Sequence, residues 1–513
     1  MSLSLPMQPA QTSARINSVI ALLVAITCVK LLAAGLIPLS GDEALYWLYS
    51  KHLSAGFVDH PGMNPLMIRV GATLFGDTPF GVRFVAVLTG LPATWAVWRA
   101  ATLLTKSDAV GATAALLFNV TAVMTIGSIA ATSDPYVVTA AAFILYFLAR
   151  LDASGNGCWW LAIGAAFGLG MCSKYTTAFF AISILAWVII VPKNRHWLSS
   201  AWAWTGAALA LAIFAPVILW NAGHEWASFG YQSGRLTINT LSITYPLELI
   251  GSQLVLATPP IFILGCIGLG RGWRRSENLS AHVLLAALVA PMAAYFLWHS
   301  LHERVQGNWP EPIYPAFVVA AAWACHELPG VIGPITRAIA LWSRRLAVPF
   351  GLTICLVALA QGAFGLLPLG SKDPTARRLA VGWDEVAPKI DAIRARANVT
   401  AIVTTDYTLT GWLSFYLPTA TPVVQMTERI RWVDAPQPDA ATLSGPLLYV
   451  CRGGCPHLDD VHRAFGSVAF VDSVLRERNG AVIDTYKLYR LGQPTRPVLS
   501  PVYPAMSLGG RDD

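Results

Sequence analysis

Long apolar stretches alternate with short polar ones up to about residue 370, after which the pattern becomes that of an ordinary soluble chain. A helix needs about 20 apolar residues to cross a hydrocarbon core of about 30 Å. By that measure the pattern predicts a polytopic α-helical membrane protein of about eleven transmembrane helices, over residues 17–39, 80–104, 108–127, 133–150, 157–172, 175–192, 199–220, 246–270, 279–300, 310–326 and 346–369. The stretches 157–172 and 175–192 are short enough to form a re-entrant pair. The first stretch, from Val19 to Leu39, is too long for a signal-peptide core and is followed by many further spans, so it reads as the first helix.

Basic residues set the orientation. Arg99 and Lys106, Arg150, Lys193 and Arg195, Arg271, Arg274 and Arg275, and Arg337, Arg344 and Arg345 all fall in loops on one side of this count. That side reads as cytoplasmic and takes the N-terminus. The opposite side receives residues 40–79, 221–245, the link 301–309 and everything after 370. Two domains follow: a transmembrane domain over 1–370 with its first external loop at 40–79, and a periplasmic α/β domain over 371–513. In the latter, AIVTTD, PVVQM and GPLLYVC read as strands and TLTGWLSFYL as a helix. No phosphate-loop or dinucleotide fingerprint is present.

Composition agrees. Hydrophobic residues make up 55% of the chain and charged residues only 12%, against about 25% charged in soluble domains. The net charge of +7 sits in short loops between spans, so it reports topology and not a nucleic-acid partner. Six of the eight cysteines lie in or near apolar spans; Cys451 and Cys455, in CRGGC, fall in the tail, where a local disulfide suits an extracytoplasmic location.

The first external loop holds the most concentrated chemistry. Asp42 and Glu43 stand at the outer end of the first span. Residues 43–54 form a predicted interfacial helix rich in aromatics, Asp59-His60-Pro61 makes a tight turn, and a second amphipathic stretch runs from about Pro65 to Phe75. Acidic groups at a membrane boundary are costly unless used or solvated. Two carboxylates and a histidine brought together by a turn form an acid–base or metal-binding set. The plainer alternative is that Asp42 caps the helix and Asp59 solvates the turn.

The segment GDEALYWLYSKHLSAGFVDHPGMNPL resembles the first external loop of the GT-C glycosyltransferases of the protein O-mannosyltransferase and aminoarabinose transferase clan, in its bacterial branch. Three further segments are similar in order and side: GLGMCSKYT at 168–176, WNAGHEWASFGYQSGR at 220–235 and ERVQGNWPEPIYPA at 303–316. The tail resembles the clan only in layout, with Leu-Ser-Phe-Tyr-Leu-Pro at 413–418. One departure stands out: relatives commonly carry a second proline directly after Asp-His-Pro, where this chain has Gly62-Met63-Asn64-Pro65.

The resemblance implies a GT-C fold and an inverting transfer of sugar from a polyprenyl-phosphate donor to a lipid or glycan acceptor, on the periplasmic face of the inner membrane. It implies Asp42 as general base, with Glu43 and Asp59 orienting the acceptor. His60, Lys174, Arg235 and Arg304 would bind the donor phosphate. A divalent cation would sit on Asp42, Asp59 and His60, and no organic cofactor is implied. Each cation has a plainer role: Lys174 can snorkel, Arg304 can pair with Glu303, and Arg235 can be a solvated loop charge. The competing functions are a secondary transporter and a protein O-glycosyltransferase using the same donor type. A transporter would gather its charges at mid-span, whereas here only Lys30 lies there.

Overall fold

The structure, a computed structural model, describes residues 9–233, 241–270, 278–328 and 333–503. Most predicted spans appear as helices close to their expected bounds: Pro9–Leu36, Pro79–Thr105, Asp134–Ser154, Ala201–Gly223, Leu279–His299 and Pro334–Phe364. These six are long and apolar enough to cross a membrane, and the number rises to eight if each of two bent pairs counts as one span. The protein is a multi-pass membrane protein.

Three of the remaining expected spans become helices of 13 residues, Asp108–Val120, Trp159–Met171 and Tyr314–His326. At 1.5 Å per residue such a helix covers about 20 Å, which is why hydropathy alone overstates their reach. The expected span 246–270 is broken into Thr244–Ala257 and Pro259–Gly270, bent by 104°. Thr258 at the break has φ +69°, a region β-branched residues rarely enter, and two prolines follow it. A second bend of 120° separates Tyr175–Ile190 from Pro192–Ser199.

The chain divides into two compact units. One comprises residues 1–34, 60–64 and 83–358, the other residues 35–59, 65–82 and 359–513. The first-loop segments therefore group with the tail, apart from His60–Asn64.

The membrane unit packs around a core that includes Ala100, Leu145, Trp187, Leu264 and Ala321, all fully buried. Its helices approach closely through small residues, as packing in lipid favours. Helices Trp159–Met171 and Ala201–Gly223 cross where Gly164 meets Gly206: a Cβ on Gly206 would stand 2.3 Å from the Trp160 carbonyl oxygen. Lys30, inside the first helix, is buried at the break between helices Asp108–Val120 and Ala122–Gly127. Its ammonium lies 3.3 Å from Asn119 Oδ1 and 3.4 Å from the Met124 carbonyl. The Met124 carbonyl also accepts from the Ser128 NH at 3.3 Å, so Lys30 is its second donor.

The other unit holds a five-stranded sheet: β1 (Ala401–Thr404), β2 (Val423–Gln425), β3 (Leu447–Arg452), β4 (Val468–Arg478) and β5 (Ala481–Leu491), in the order β2-β1-β3-β5-β4. β1 runs parallel to β2 and β3, while β5 is antiparallel to β3 and β4. Helix Trp383–Arg396 buries Trp383, Val386, Ala387, Ile390 and Ile393, one face at helical spacing. Arg476 is fully buried, donating to the carbonyls of Ala376 and Leu379 at 2.8 and 2.9 Å and pairing with Asp484. Cys451 and Cys455 form a disulfide.

Replacing Gly206 by valine forces a side chain into the Trp160 backbone, and overpacking of this kind costs about 1–3 kcal/mol. The variant is expected to melt several degrees below wild type in detergent, followed by intrinsic fluorescence. An unchanged melting curve would contradict the crossing geometry.

Candidate active site

The helix Gly41–Lys51 begins with a capping box. Ser40 Oγ accepts from the Glu43 backbone NH at 3.3 Å, and Glu43 Oε2 accepts from the Ser40 NH at 2.8 Å. Capping thus falls to Ser40 and Glu43, and Glu43 is buried. Asp42, one residue inside the helix start, is left out of the cap; its side chain reaches solvent although protein packs densely around it. The helix is held against helix Tyr407–Tyr416: Gly411 has the Ala44 Cβ 3.0 Å from where its own Cβ would be, and Gly41 similarly faces the Thr408 side chain. Trp47 packs edge-on against Phe415 at 4.9 Å, and the Tyr416 hydroxyl accepts from the Leu39 NH at 3.1 Å.

This packing delivers tail residues to the acidic loop. The Tyr407 hydroxyl donates to Asp42 Oδ1 at 3.1 Å. Arg431 Nη1 bonds both oxygens of Asp59, and its Nε donates to Glu428 Oε2 at 2.9 Å. The same guanidinium lies 4.7 Å from the centre of the Tyr407 ring, within cation–π range. Tyr49 donates to Asp59 Oδ2 at 3.1 Å and stacks on Phe57 with centroids 4.2 Å apart. Desolvation by the protein packed around Asp42 pushes its carboxyl above the ordinary carboxylate value, and the charges of Asp59 and Glu43 add to this. The Tyr407 hydrogen bond and the Arg431 charge pull the other way.

A second polar cluster lies in the membrane unit. Lys174 pairs with Asp134 at 2.5 Å, both of them buried. Asp134 also accepts from Asn308 Nδ2 at 2.9 Å and from the Thr132 hydroxyl at 3.2 Å. His60 interacts electrostatically with Asp134. The Ser173 hydroxyl donates to the Ser133 carbonyl at 2.8 Å, and Asn64 Nδ2 to the Ala131 carbonyl at 3.0 Å. The segments 168–176 and 303–316 therefore meet at Asp134, and Tyr175 reaches Ser228 of the segment 220–235 at 2.8 Å.

Of the residues expected at the site, Asp42, Glu43 and Asp59 fall in the unit that contains the tail, and His60 and Lys174 in the membrane unit. Lys174 is an ion-pair partner and does not snorkel. Arg304 is exposed and pairs with Glu248 at 2.7 Å; Glu303 instead approaches His299 at 3.7 Å. Arg235 lies outside the described residues. No three His, Cys, Asp or Glu side chains among the described residues come together in a way that could hold a metal ion. Sequence reasoning missed Tyr407, Arg431 and Asn308. Asp134, at the start of helix Asp134–Ser154, was not among the expected site residues.

Residues 59–220 match the family model described as dolichyl-phosphate-mannose-protein mannosyltransferase. The lipid A galacturonosyltransferase RgtD of Rhizobium johnstonii is 23% identical over 292 residues, 56% of this chain and 60% of that protein. Undecaprenyl phosphate-alpha-4-amino-4-deoxy-L-arabinose arabinosyl transferase 1 of Pseudomonas fluorescens is 26% identical over 333 residues, 63% of this chain and 57% of that protein. The chain thus spans less than two thirds of the length of either relative. The solved structure of ArnT from Cupriavidus metallidurans bound to undecaprenyl phosphate superposes with TM-score 0.61 at 15% identity, covering 96% of this chain and 99% of that one. The class is therefore defined: the chain has the GT-C glycosyltransferase fold with a small C-terminal sheet domain. Within that class its sequence is similar to a lipid A galacturonosyltransferase and to an undecaprenyl phosphate-aminoarabinose arabinosyl transferase.

Removing one partner of a buried ion pair costs about 3–5 kcal/mol, because the other charge is left uncompensated. Lys174→Met should therefore lower thermal stability in detergent markedly, and Lys174→Met with Asp134→Asn should recover much of the loss. A single variant as stable as wild type would mean that the pair is solvated.

Proposed function

We propose that the protein transfers a sugar, with inversion, from a polyprenyl-phosphate donor to a lipid A, lipopolysaccharide or other envelope-glycan acceptor at the periplasmic face of the inner membrane. The observation that carries this reading is Asp42: a carboxylate excluded from its helix cap, oriented by Tyr407 and raised in proton affinity. The best general base has a pKa drawn towards the working pH, and the surroundings of Asp42 act in that direction.

In the proposed reaction Asp42 takes the proton from the acceptor hydroxyl or amine as that group attacks the anomeric carbon. The bond from the anomeric carbon to the phosphate oxygen breaks, and its electron pair leaves with the polyprenyl phosphate, which needs no proton near neutral pH. Glu43 supports the helix start that presents Asp42. For the negative charge that grows on the leaving phosphate, the proposed cationic residues are Lys174, with His60, Arg235 and Arg304 as further candidates. Lys174 enters this role with its charge already shared with Asp134.

The GT-C fold sets aside the transporter alternative. Transfer to a protein hydroxyl remains the second reading, favoured by the description of the family matched over residues 59–220. A periplasmic tail and a cytoplasmic N-terminus are supported by the loop distribution of basic residues and by the Cys451–Cys455 disulfide, a bond suited to an oxidising compartment.

The test is a transfer assay on purified protein in detergent, offered a panel of polyprenyl-phosphate sugars and a membrane-lipid extract. Wild type is expected to release polyprenyl phosphate, and Asp42→Asn to lose about 10²–10⁴-fold in rate while melting like wild type. Release by neither protein with any donor would refute the reading, and transfer to protein instead of lipid would select the second one.

The pH profile gives an independent check. A base must be ionised, so activity is present above the pKa of Asp42 and lost as pH falls through it. With that pKa raised, the acidic limb of kcat/KM should lie above the ordinary carboxylate range. Tyr407→Phe removes a donor that favours the ionised form and should move the limb to higher pH; a limb that stays in place would remove Asp42 from the role.

A further inference from the structure

The first loop places carboxylates close enough that Asp59 and Glu43 both act electrostatically on Asp42. Acidic groups of this kind beside a phosphate-transfer or glycosyl-transfer centre commonly recruit a divalent cation, which needs several oxygen ligands with free lone pairs. The acidic pair here is already served by a protein cation. Both oxygens of Asp59 accept from Arg431, and one of them accepts from Tyr49 as well. One oxygen of Asp42 accepts from Tyr407. Arg431 is 6% exposed, so its charge is largely withdrawn from water and neutralised by Asp59 and Glu428. Its planar fork is suited to a carboxylate and stays charged at any working pH.

We infer that Arg431 is a positioning residue that takes the place of a divalent cation at the acidic pair: it neutralises Asp59 and, through the Tyr407 ring beneath it, fixes the orientation of Asp42. This inference rests on the glycosyltransferase reading for what Asp42 does, but not for what Arg431 holds. Two short links carry the effect, the guanidinium over the aromatic ring and the phenol on the carboxylate. Lysine would not reproduce it, because a single ammonium lacks the flat fork that grips Asp59 and covers Tyr407 together.

The test uses the full-length protein in detergent and two readouts, Mn2+ binding by electron paramagnetic resonance and polyprenyl-phosphate release after exhaustive chelation. Wild type is expected to hold no stoichiometric Mn2+ and to keep its rate within about twofold in EDTA. Arg431→Ala should lower kcat by more than about tenfold with donor KM changed by less than about threefold, the signature of a lost transition-state arrangement. Arg431→Lys should not restore the rate, and Tyr407→Phe should show the same split to a smaller degree.

Two results would overturn the proposal: one Mn2+ per wild-type chain that is lost in Asp59→Asn, or activity lost on chelation and regained with Mg2+ or Mn2+. An Arg431→Ala protein that folds and turns over like wild type would also overturn it. If Arg431→Ala does not fold, the wild-type binding and chelation results decide alone. Absence of release by wild type with every donor would defeat the transferase reading, while Mn2+ binding would still decide for or against Arg431.

Discussion

The start of the helix Gly41–Lys51 is the constraint on which the candidate site depends. A helix N-terminus offers unsatisfied NH groups that a nearby acid will accept if nothing else does. Ser40 and Glu43 take that task reciprocally, and Asp42 between them is left free for another partner. The cap is thus made by one hydroxyl and one carboxylate, and Asp42 stands outside it. The glycine contacts with helix Tyr407–Tyr416 then fix which face of the short helix meets the tail.

The two polar clusters solve the same problem in different media. In the membrane unit, Lys174 and Asp134 neutralise one another where water is scarce, with Asn308 and Thr132 satisfying the remaining lone pairs. In the other unit, Arg431 serves Asp59 and Glu428, and two tyrosines fill in the hydrogen bonds. In each case a carboxylate withdrawn from water is tolerated because a cation and neutral donors surround it.

Much of the architecture was legible because hydropathy and helical length are local properties. The spans, the two amphipathic helices of the first loop and the strand–helix–strand start of the tail all follow from patterns of ten to twenty residues. The bend at Thr258 was not legible, since it turns the backbone inside a long run of mostly apolar residues; the bend after Ile190 falls where the apolar run ends at Pro192-Lys193. The hairpin of β4 and β5 was missed although Asn479-Gly480, both with positive φ, is a strong turn signal between its strands. Asp42 and Asp59 could be picked out by their place at the membrane edge. Their partners could not, because Tyr407 lies 365 residues from Asp42 and Arg431 lies 372 from Asp59. No local pattern reports a contact across that separation; only the folded chain does.

That separation has a consequence in time. A chain made at about 5–20 residues per second exposes its first loop roughly 20–75 s before Arg431 leaves the ribosome. Throughout that interval the acids of the loop have neither their counter-charge nor the phenol that orients Asp42. A nascent chain stopped short of residue 431 would carry the carboxylates without their setting. Completion of the tail is therefore the event that gives Asp42 and Asp59 the partners they have in the folded chain.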